Sequence, residues 1–176
     1  MTQYFAFAKR GALFLLVLLL LGGCASKGAI RTTTPLAVKL SNYKTIMVNV
    51  SSQGPGLSEE IVQLETMTIT KLREKGLFDK VIAGSSSPDA PTDLRLNARI
   101  VELKRVSSGA RVMVGAFAGR AGIDIDVELT DMRTGKGIGT FMAQGRSSGG
   151  TVFAGTTPQA VERAVEQIVE FIQNSM

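Results

Sequence analysis

The stretch Leu94-Arg-Leu-Asn-Ala-Arg-Ile100 alternates apolar and polar side chains, and so does Ile123-Asp-Ile-Asp-Val-Glu-Leu129. Successive side chains of a β-strand point to opposite faces of a sheet, so each stretch predicts a strand with one buried and one solvated face. The first strand carries arginines on its polar face and the second carries carboxylates. Opposite charges that face each other across antiparallel strands stabilise the pairing, so we expect these two strands to be neighbours.

The residues around these strands predict the rest of a small domain. After them, 131–136 reads as a tight turn with Gly135 at a positive φ, and 137–144 as a returning strand. Before them, 44–50 is rich in residues that favour strands, and 77–82 predicts a second short strand. A helix is predicted between those two strands, so the unit should be β-α-β with parallel strands.

Sequence signals for helix ends bound this first helix and a second one. Ser58 is predicted to cap the N-terminus of the first helix, and Gly76 to follow its C-terminus. Thr156 and Gln159 begin the second helix, with a proline between them. Apolar residues at helical spacing then predict its buried face: Val161, Ala164, Val165, Ile168 and Ile172. The predicted fold is α+β, a two-layer sandwich of a mostly antiparallel sheet with a β-α-β start and a C-terminal helix.

The N-terminus has the pattern of a bacterial export signal. A basic segment ends in Lys9-Arg10, the apolar run 12–21 follows, and Gly22-Gly23-Cys24 comes next. Ten apolar residues make about 15 Å of helix, half the thickness of a bilayer core, so a membrane-spanning anchor is disfavoured. Leu21 to Cys24 resembles the lipobox of lipoproteins, which implies cleavage by signal peptidase II between Gly23 and Cys24 and a diacylglycerol on the Cys24 thiol.

The same resemblance predicts the domain organisation and the cellular location of the protein. Residues 1–23 would be the signal peptide, 24–42 a lipidated flexible tether, and 43–176 a single α+β periplasmic domain. An added amide-linked acyl chain such as palmitate would make the anchoring stable, since one acyl chain binds membranes only marginally. Ala25 and Ser26 follow the cysteine where an aspartate would favour the inner membrane, so we expect the outer membrane.

Composition excludes several kinds of site. The chain of 176 residues has no histidine, one cysteine and a formal charge of +5. Histidine-based catalysis, disulfides and the common zinc sites are therefore excluded, and the mild charge and few aromatic residues disfavour nucleic-acid binding. Asp124, Asp126 and Glu128 share one strand face, but residues two apart lie about 6.6 Å apart along a strand, too wide for one metal ion. We predict no enzyme activity, no cofactor and no metal.

Two glycine-rich segments, 109–122 and 145–155, each contain one phenylalanine, Phe117 and Phe153. One interpretation is a pair of plain loops at one end of the sheet. The other is a partner-binding edge anchored by the two phenylalanine side chains. The sequence leaves both open, together with the identity of an envelope partner.

Taken in order, the lipobox, TDLRLNARIVEL, IDIDVELTDMRTGK and TTPQAVERAVEQI are similar to the lipoproteins grouped as domain of unknown function 4410. The resemblance covers roughly 36–174 and is most specific at Gly119-Arg-Ala-Gly122 and Asp131 to Lys136. It implies a fold and a location but carries no site. The expected function is a binding or scaffolding module held on the periplasmic face of the outer membrane. The alternative is a self-assembling secretion or pore-type subunit.

Overall fold

The computed structural model describes residues 29–105, 120–148 and 156–176, and within these ranges the chain forms six strands and two α-helices. A short 3-10 turn at Leu40–Asn42 precedes the second strand. The strands are β1 (Ala29–Thr34), β2 (Thr45–Ser52), β3 (Lys80–Ala83), β4 (Leu94–Lys104), β5 (Gly122–Asp131) and β6 (Lys136–Arg146). The helices are α1 (Ser58–Glu74) and α2 (Thr157–Gln173).

The strands form one mixed sheet in the order β1-β6-β5-β4-β2-β3. The pairs β1/β6, β6/β5 and β5/β4 are antiparallel, whereas β4/β2 and β2/β3 are parallel. The predicted α+β fold with a parallel β-α-β unit and a C-terminal helix is therefore confirmed at this level. The parallel part is larger than predicted, because β4 also runs parallel to β2.

Both helices pack on one face of the sheet and enclose a single hydrophobic core. The predicted apolar face of α2 is fully buried at Val161, Ala164, Val165, Ile168 and Ile172. At its far end, Phe171 stacks on Phe141 of β6 with ring centroids 4.0 Å apart. On β4 and β5 the apolar members of each alternation face the helices, as their spacing predicted.

The helix ends and the tight turn largely follow the sequence signals. Gly76 and Gly135 both have positive φ, +60° and +70°, the conformation that glycine adopts at least cost. Thr156 accepts a hydrogen bond from the Gln159 N–H, as expected for an N-cap. The prediction for Ser58 is wrong: Ser58 is already helical, and Leu57 holds the N-cap position without a side-chain hydrogen bond.

Part of the segment that was predicted as a tether, 24–42, belongs to the folded domain. Its residues 29–34 form β1, which pairs with β6 at the edge of the sheet. Leu40 is fully buried in the core, and its N–H donates to the Ser175 carbonyl near the C-terminus. A weakly patterned segment can join a sheet by backbone pairing, which leaves little trace in the sequence.

The two ends of the sheet carry different residues, and we call them the Asp131 end and the Lys104 end. The Asp131 end holds the β5–β6 turn and the starts of β2 and β4, at Thr45 and Leu94. The Lys104 end holds Lys104, Gly122 and Arg146, which are register partners across β4, β5 and β6. Because Ala29 pairs with Gln144, two residues from Arg146, β1 begins at the Lys104 end.

Candidate binding face of the sheet

The sheet face opposite the helices carries polar side chains from five strands, and we call this surface the open face. Neither described helix packs on it, since both belong to the core on the other side. Its centre is a shallow depression of about 610 Å³. The polar side chains that line the depression are Thr33, Asn49, Ser51, Asn97, Arg99, Asp126, Glu128 and Thr140.

The predicted cross-strand charge pair lies on this face. Arg99 and Asp126 are register partners, and Arg99 Nη2 lies 3.1 Å from Asp126 Oδ2. The two side chains are 54% and 42% exposed, so water screens the attraction and the pair contributes little to stability. Arg95 does not match the expectation of a second pair, because its register partner is Thr130. Its buried Nε has no hydrogen-bond partner among the described residues.

Amides and hydroxyls complete the open face. Asn49 Nδ2 donates to Asn97 Oδ1 at 3.2 Å across the parallel strands β2 and β4, which fixes both side chains. Ser51, Thr33 and Thr140 add hydroxyls that can donate or accept. Together with the amides, these groups can bind polar ligands through hydrogen bonds.

The carboxylates of β5 each have separate surroundings. Asp124 forms an ion pair with Arg146 and accepts a hydrogen bond from Gln144 Nε2 at 3.0 Å. Asp126 pairs with Arg99, and Glu128 is exposed. Over the described ranges, no three side chains of histidine, cysteine, aspartate or glutamate are grouped so that they could hold a metal ion.

A compact polar cluster at the Asp131 end was not predicted from the sequence. Asp131 is 7% exposed and accepts hydrogen bonds from the Tyr43 hydroxyl at 3.1 Å and from the Arg133 and Thr134 N–H groups at 2.8 and 3.2 Å. The Arg133 guanidinium also lies over the Tyr43 ring, 5.2 Å from its centroid. We call Tyr43, Asp93, Asp131 and Arg133 the polar corner. Only the turn around Asp131 was visible as a pattern.

The polar corner shifts the acidity of its members. Burial would raise the pKa of Asp131, but the hydrogen bonds from Arg133, Tyr43 and Thr134 outweigh it and leave the pKa below its usual value. Hydrogen bonds from the Lys44 and Thr45 N–H groups, each 3.1 Å long, lower the pKa of Asp93. The pKa of the Tyr43 hydroxyl is raised, first by burial and then by Asp131. The corner therefore holds two charged carboxylates at neutral pH.

The sheet edge at β3 is protected by side chains of α1. Arg73 Nη2 donates to the Val81 carbonyl at 2.6 Å. The Gly84 N–H donates to the Val48 carbonyl of β2. Because the backbone groups of successive residues in a strand point to opposite sides, the carbonyl of Val81, three residues earlier, points away from β2. Glu65 accepts hydrogen bonds from the N–H and the hydroxyl of Ser85 just beyond β3. These contacts block strand addition at β3, as edge strands often require.

The site residues proposed from the sequence alone lie outside the described residues. These are Gly23 and Cys24 for cleavage and lipidation, and Phe117 and Phe153 for partner binding. Within the ranges that are described, no helix is both long and apolar enough to cross a bilayer.

The fold and the site define a two-layer α+β domain in which both described helices cover one face of the sheet and polar side chains occupy the other. The chain belongs to the family described as domain of unknown function (DUF4410), whose model matches residues 48–151. This confirms the family resemblance inferred from the sequence. Among curated proteins, none matches the chain.

Solved structures share this fold. The PelC dodecamer from Paraburkholderia phytofirmans aligns with a TM-score of 0.55 and 16% identity, over 81% of this chain and 96% of that one. Lipoprotein GNA1162 from Neisseria meningitidis aligns with a TM-score of 0.45 and 15% identity, over 75% of this chain and 99% of that one. At 16% identity, the likeness to PelC speaks to the fold alone.

Proposed function

We propose that this protein is a lipid-anchored periplasmic scaffold of the cell envelope that binds a protein partner without catalysing a reaction. The observation that carries the proposal is the open face, where polar side chains from five strands surround a depression that no described helix covers. The Asn49–Asn97 hydrogen bond orders two amides of this face. Ordered polar side chains lose less entropy on binding than mobile ones.

The mechanism we propose is tethering. The lipobox-like Leu21-Gly22-Gly23-Cys24 supplies a diacylglycerol and an amide-linked acyl chain on Cys24. Two or more acyl chains hold a domain stably on a bilayer, whereas one holds it only marginally. Confinement to the surface of the outer membrane raises the effective concentration of the domain for partners on the same surface. Weak contacts through the open face then suffice for function.

Anchoring is tested by metabolic labelling with an alkyne fatty acid, followed by membrane fractionation. The wild-type chain is expected to take up the label and to sediment with the outer membrane. Cys24→Ser should abolish labelling and leave the uncleaved precursor. A labelled Cys24→Ser protein, or wild type without label, would contradict lipidation at this residue.

Partner binding is tested by photo-cross-linking in cells with a photoreactive amino acid at exposed positions. Thr33 and Glu128 report on the open face, and Thr70 and Glu162 on the outer surfaces of the helices serve as matched controls. Phe117 and Phe153 test the glycine-rich segments in the same cells. We expect one abundant envelope protein cross-linked from the open face and not from the helices. Equal cross-linking at all four exposed positions, or none at the open face, would refute this role.

A second candidate is a self-assembling envelope subunit of the secretion or pore type. It is favoured by the likeness to PelC, which was crystallised as a dodecamer and which this chain matches over 96% of its length. Native mass spectrometry of the mature protein in detergent distinguishes the two. A single defined oligomer larger than a dimer, with cross-links between copies, supports assembly. A monomer at all concentrations leaves the scaffold function as the better description.

A further inference from the structure

We infer that the Lys104 end of the sheet faces the bilayer and that Lys104 and Arg120 contact the phosphate headgroups of its lipids. This inference deepens the proposed function, since it rests on lipidation of Cys24. It concerns how the domain stands on the membrane, which decides whether a partner can reach the open face.

The chain between the lipidated cysteine and the sheet is short. Four residues, 25–28, separate Cys24 from Ala29, where β1 begins at the Lys104 end. Even fully extended, the five steps from Cys24 to Ala29 span only about 17 Å. The nine steps of β5 from Gly122 to Asp131 extend for about 30 Å. A lipid on Cys24 therefore holds the Lys104 end near the headgroups while the Asp131 end stands beyond the reach of this tether.

The Lys104 end also carries two cations that have no ion pair among the described residues. Lys104, Arg120 and Arg146 border one depression of about 310 Å³, together with the carboxylates of Glu102 and Asp124. Asp124 is paired with Arg146, and Arg105 just beyond β4 is paired with Glu60. Lys104 and Arg120 are exposed and have no ion pair or hydrogen bond with any described residue. Exposed cations at the membrane side of an anchored domain are attracted to anionic lipids.

The rival orientation is a sheet that lies flat with its open face on the lipids. That orientation would bring Glu128, which is exposed and has no ion pair among the described residues, against phosphate groups, which repel it. It would also bury the open face away from any protein partner. An upright domain leaves the open face accessible from the side, as the proposed function requires.

The experiment uses the mature lipidated protein in vesicles of phosphatidylethanolamine and phosphatidylglycerol at a ratio of three to one, with a trace of a nickel-chelating lipid. Because Cys24 is the only cysteine and carries the lipid, an introduced cysteine is the only free thiol. Nitroxide labels are placed at Glu102→Cys for the Lys104 end and at Lys136→Cys for the Asp131 end. Nickel held at the headgroups relaxes only labels that lie near the bilayer surface.

We expect nickel to enhance relaxation at position 102 at least threefold more than at position 136. Equal enhancement would mean a sheet lying flat, and a larger effect at position 136 would mean an inverted domain; either result overturns the inference. Mass spectrometry of the same sample separates this failure from failure of the proposed function. A mature Cys24 without lipid overturns both, whereas a lipidated protein with equal or reversed relaxation overturns the orientation alone.

The headgroup contact itself is tested with a charge-matched pair of double variants. Lys104→Gln with Arg120→Gln should reduce the enhancement at position 102 at least twofold in the anionic vesicles. The same variant should change nothing in phosphatidylcholine vesicles, which carry no net charge. The control, Lys44→Gln with Lys80→Gln, removes two cations from the Asp131 end and should leave the enhancement unchanged. If the variant with Lys104→Gln and Arg120→Gln behaves like this control, contact of Lys104 and Arg120 with the headgroups is refuted.

Discussion

The polar corner at the Asp131 end and the cations Lys104 and Arg120 at the Lys104 end differ in how far their polar groups are satisfied within the described part of the protein. At the Asp131 end, the members of the polar corner bind one another. The Asp131 carboxylate by itself accepts three hydrogen bonds, from Tyr43, Arg133 and Thr134. At the Lys104 end, Lys104 and Arg120 have no described partner. The close contact at the Lys104 end is between backbones: Gly145 has no side chain, so the backbone of α2 packs directly on the backbone of β6.

This difference distinguishes polar groups that stabilise the fold from polar groups that can bind a ligand. Polar groups that are satisfied within the protein stabilise the fold and have little left to offer a ligand. Cations without internal partners contribute little to stability and remain free to meet an external anion. The polar corner is therefore expected to respond to mutation through unfolding, and Lys104 and Arg120 through membrane contact. The glycine contact at the Lys104 end is the exception, since it is part of the core.

The largest effect is expected from Gly145→Ala, which would put a side chain into that close contact. A Cβ at this position would lie 1.9 Å from the Ala160 carbonyl oxygen and 2.8 Å from the Ala164 nitrogen, both in α2. Because these are backbone atoms, α2 must shift, at a cost of about 3 kcal/mol in the free energy of unfolding. Urea denaturation followed by circular dichroism measures this loss.

Gly137→Ala is the matched control in the same strand. A Cβ there would meet only the end of the Glu128 side chain at 3.4 Å, which is ordinary contact. Its free energy of unfolding should change by less than about 1 kcal/mol. Equal losses in the two variants would show that strand propensity, and not the packing of α2 on β6, sets the cost.

The periodicity of apolar residues predicted the strands and helices that have one apolar, buried face and one polar, exposed face. The alternation in 94–100 and 123–129 gave the strands β4 and β5, and the opposite charges of their polar faces favoured the antiparallel pairing that the sheet shows. The helical spacing from Val161 to Ile172 gave the buried face of α2. In each case the two faces of an element differ enough in polarity for the pattern to specify the structure.

Contacts made by the backbone or by distant residues left no such pattern. β1 joins the sheet edge through main-chain pairing, and five of its six side chains are exposed, so its sequence reads as a linker. Tyr43 and Asp131 meet across 88 residues of sequence, a distance that no local rule covers. The depression of the open face likewise depends on bringing five strands together. Its charge pair was predictable, but its shape and its amide pair were not.

The second-largest effect is expected from acid, and it should act at the Asp131 end. The pKa values of Asp93 and Asp131 lie below the ordinary 3.8 in the folded protein, so the unfolded chain binds more protons. Their contribution to stability is complete above that ordinary value and is lost as the pH falls through the lowered, folded-state values. The urea midpoint should therefore fall as the pH is taken from 5 towards 2.

Asp131→Asn provides the comparison for the acid experiment, because its side chain does not titrate. The variant should be less stable than wild type at pH 6, and its midpoint should fall less steeply between pH 5 and 2. A wild-type midpoint that does not change with acid, or parallel curves for the two proteins, would show that the polar corner does not carry this dependence.

A smaller loss is expected when only one hydrogen bond of the polar corner is removed. Tyr43→Phe keeps the buried ring and its contact with Arg133 but removes the hydroxyl that donates to Asp131. The free energy of unfolding should fall by about 1 kcal/mol, as for a typical buried hydrogen bond. In a protein that already carries Asp131→Asn, Tyr43→Phe should lower the free energy of unfolding less than it does in the wild type, because the acceptor of the lost hydrogen bond is already altered. Fully additive losses would refute the coupling.

The smallest effect is expected on the open face, where the charge pair is exposed. A double-mutant cycle with Arg99→Gln and Asp126→Asn should give a coupling of about 0.5 kcal/mol, because water screens the pair, and added salt should reduce it further. The same cycle with Arg95→Gln and Thr130→Val should give no coupling, since that register pair has no hydrogen bond. A coupling above about 2 kcal/mol for Arg99 and Asp126 would assign the pair to the folding core. The open face would then be a stabilising surface like the polar corner, and its side chains would no longer be available to a partner.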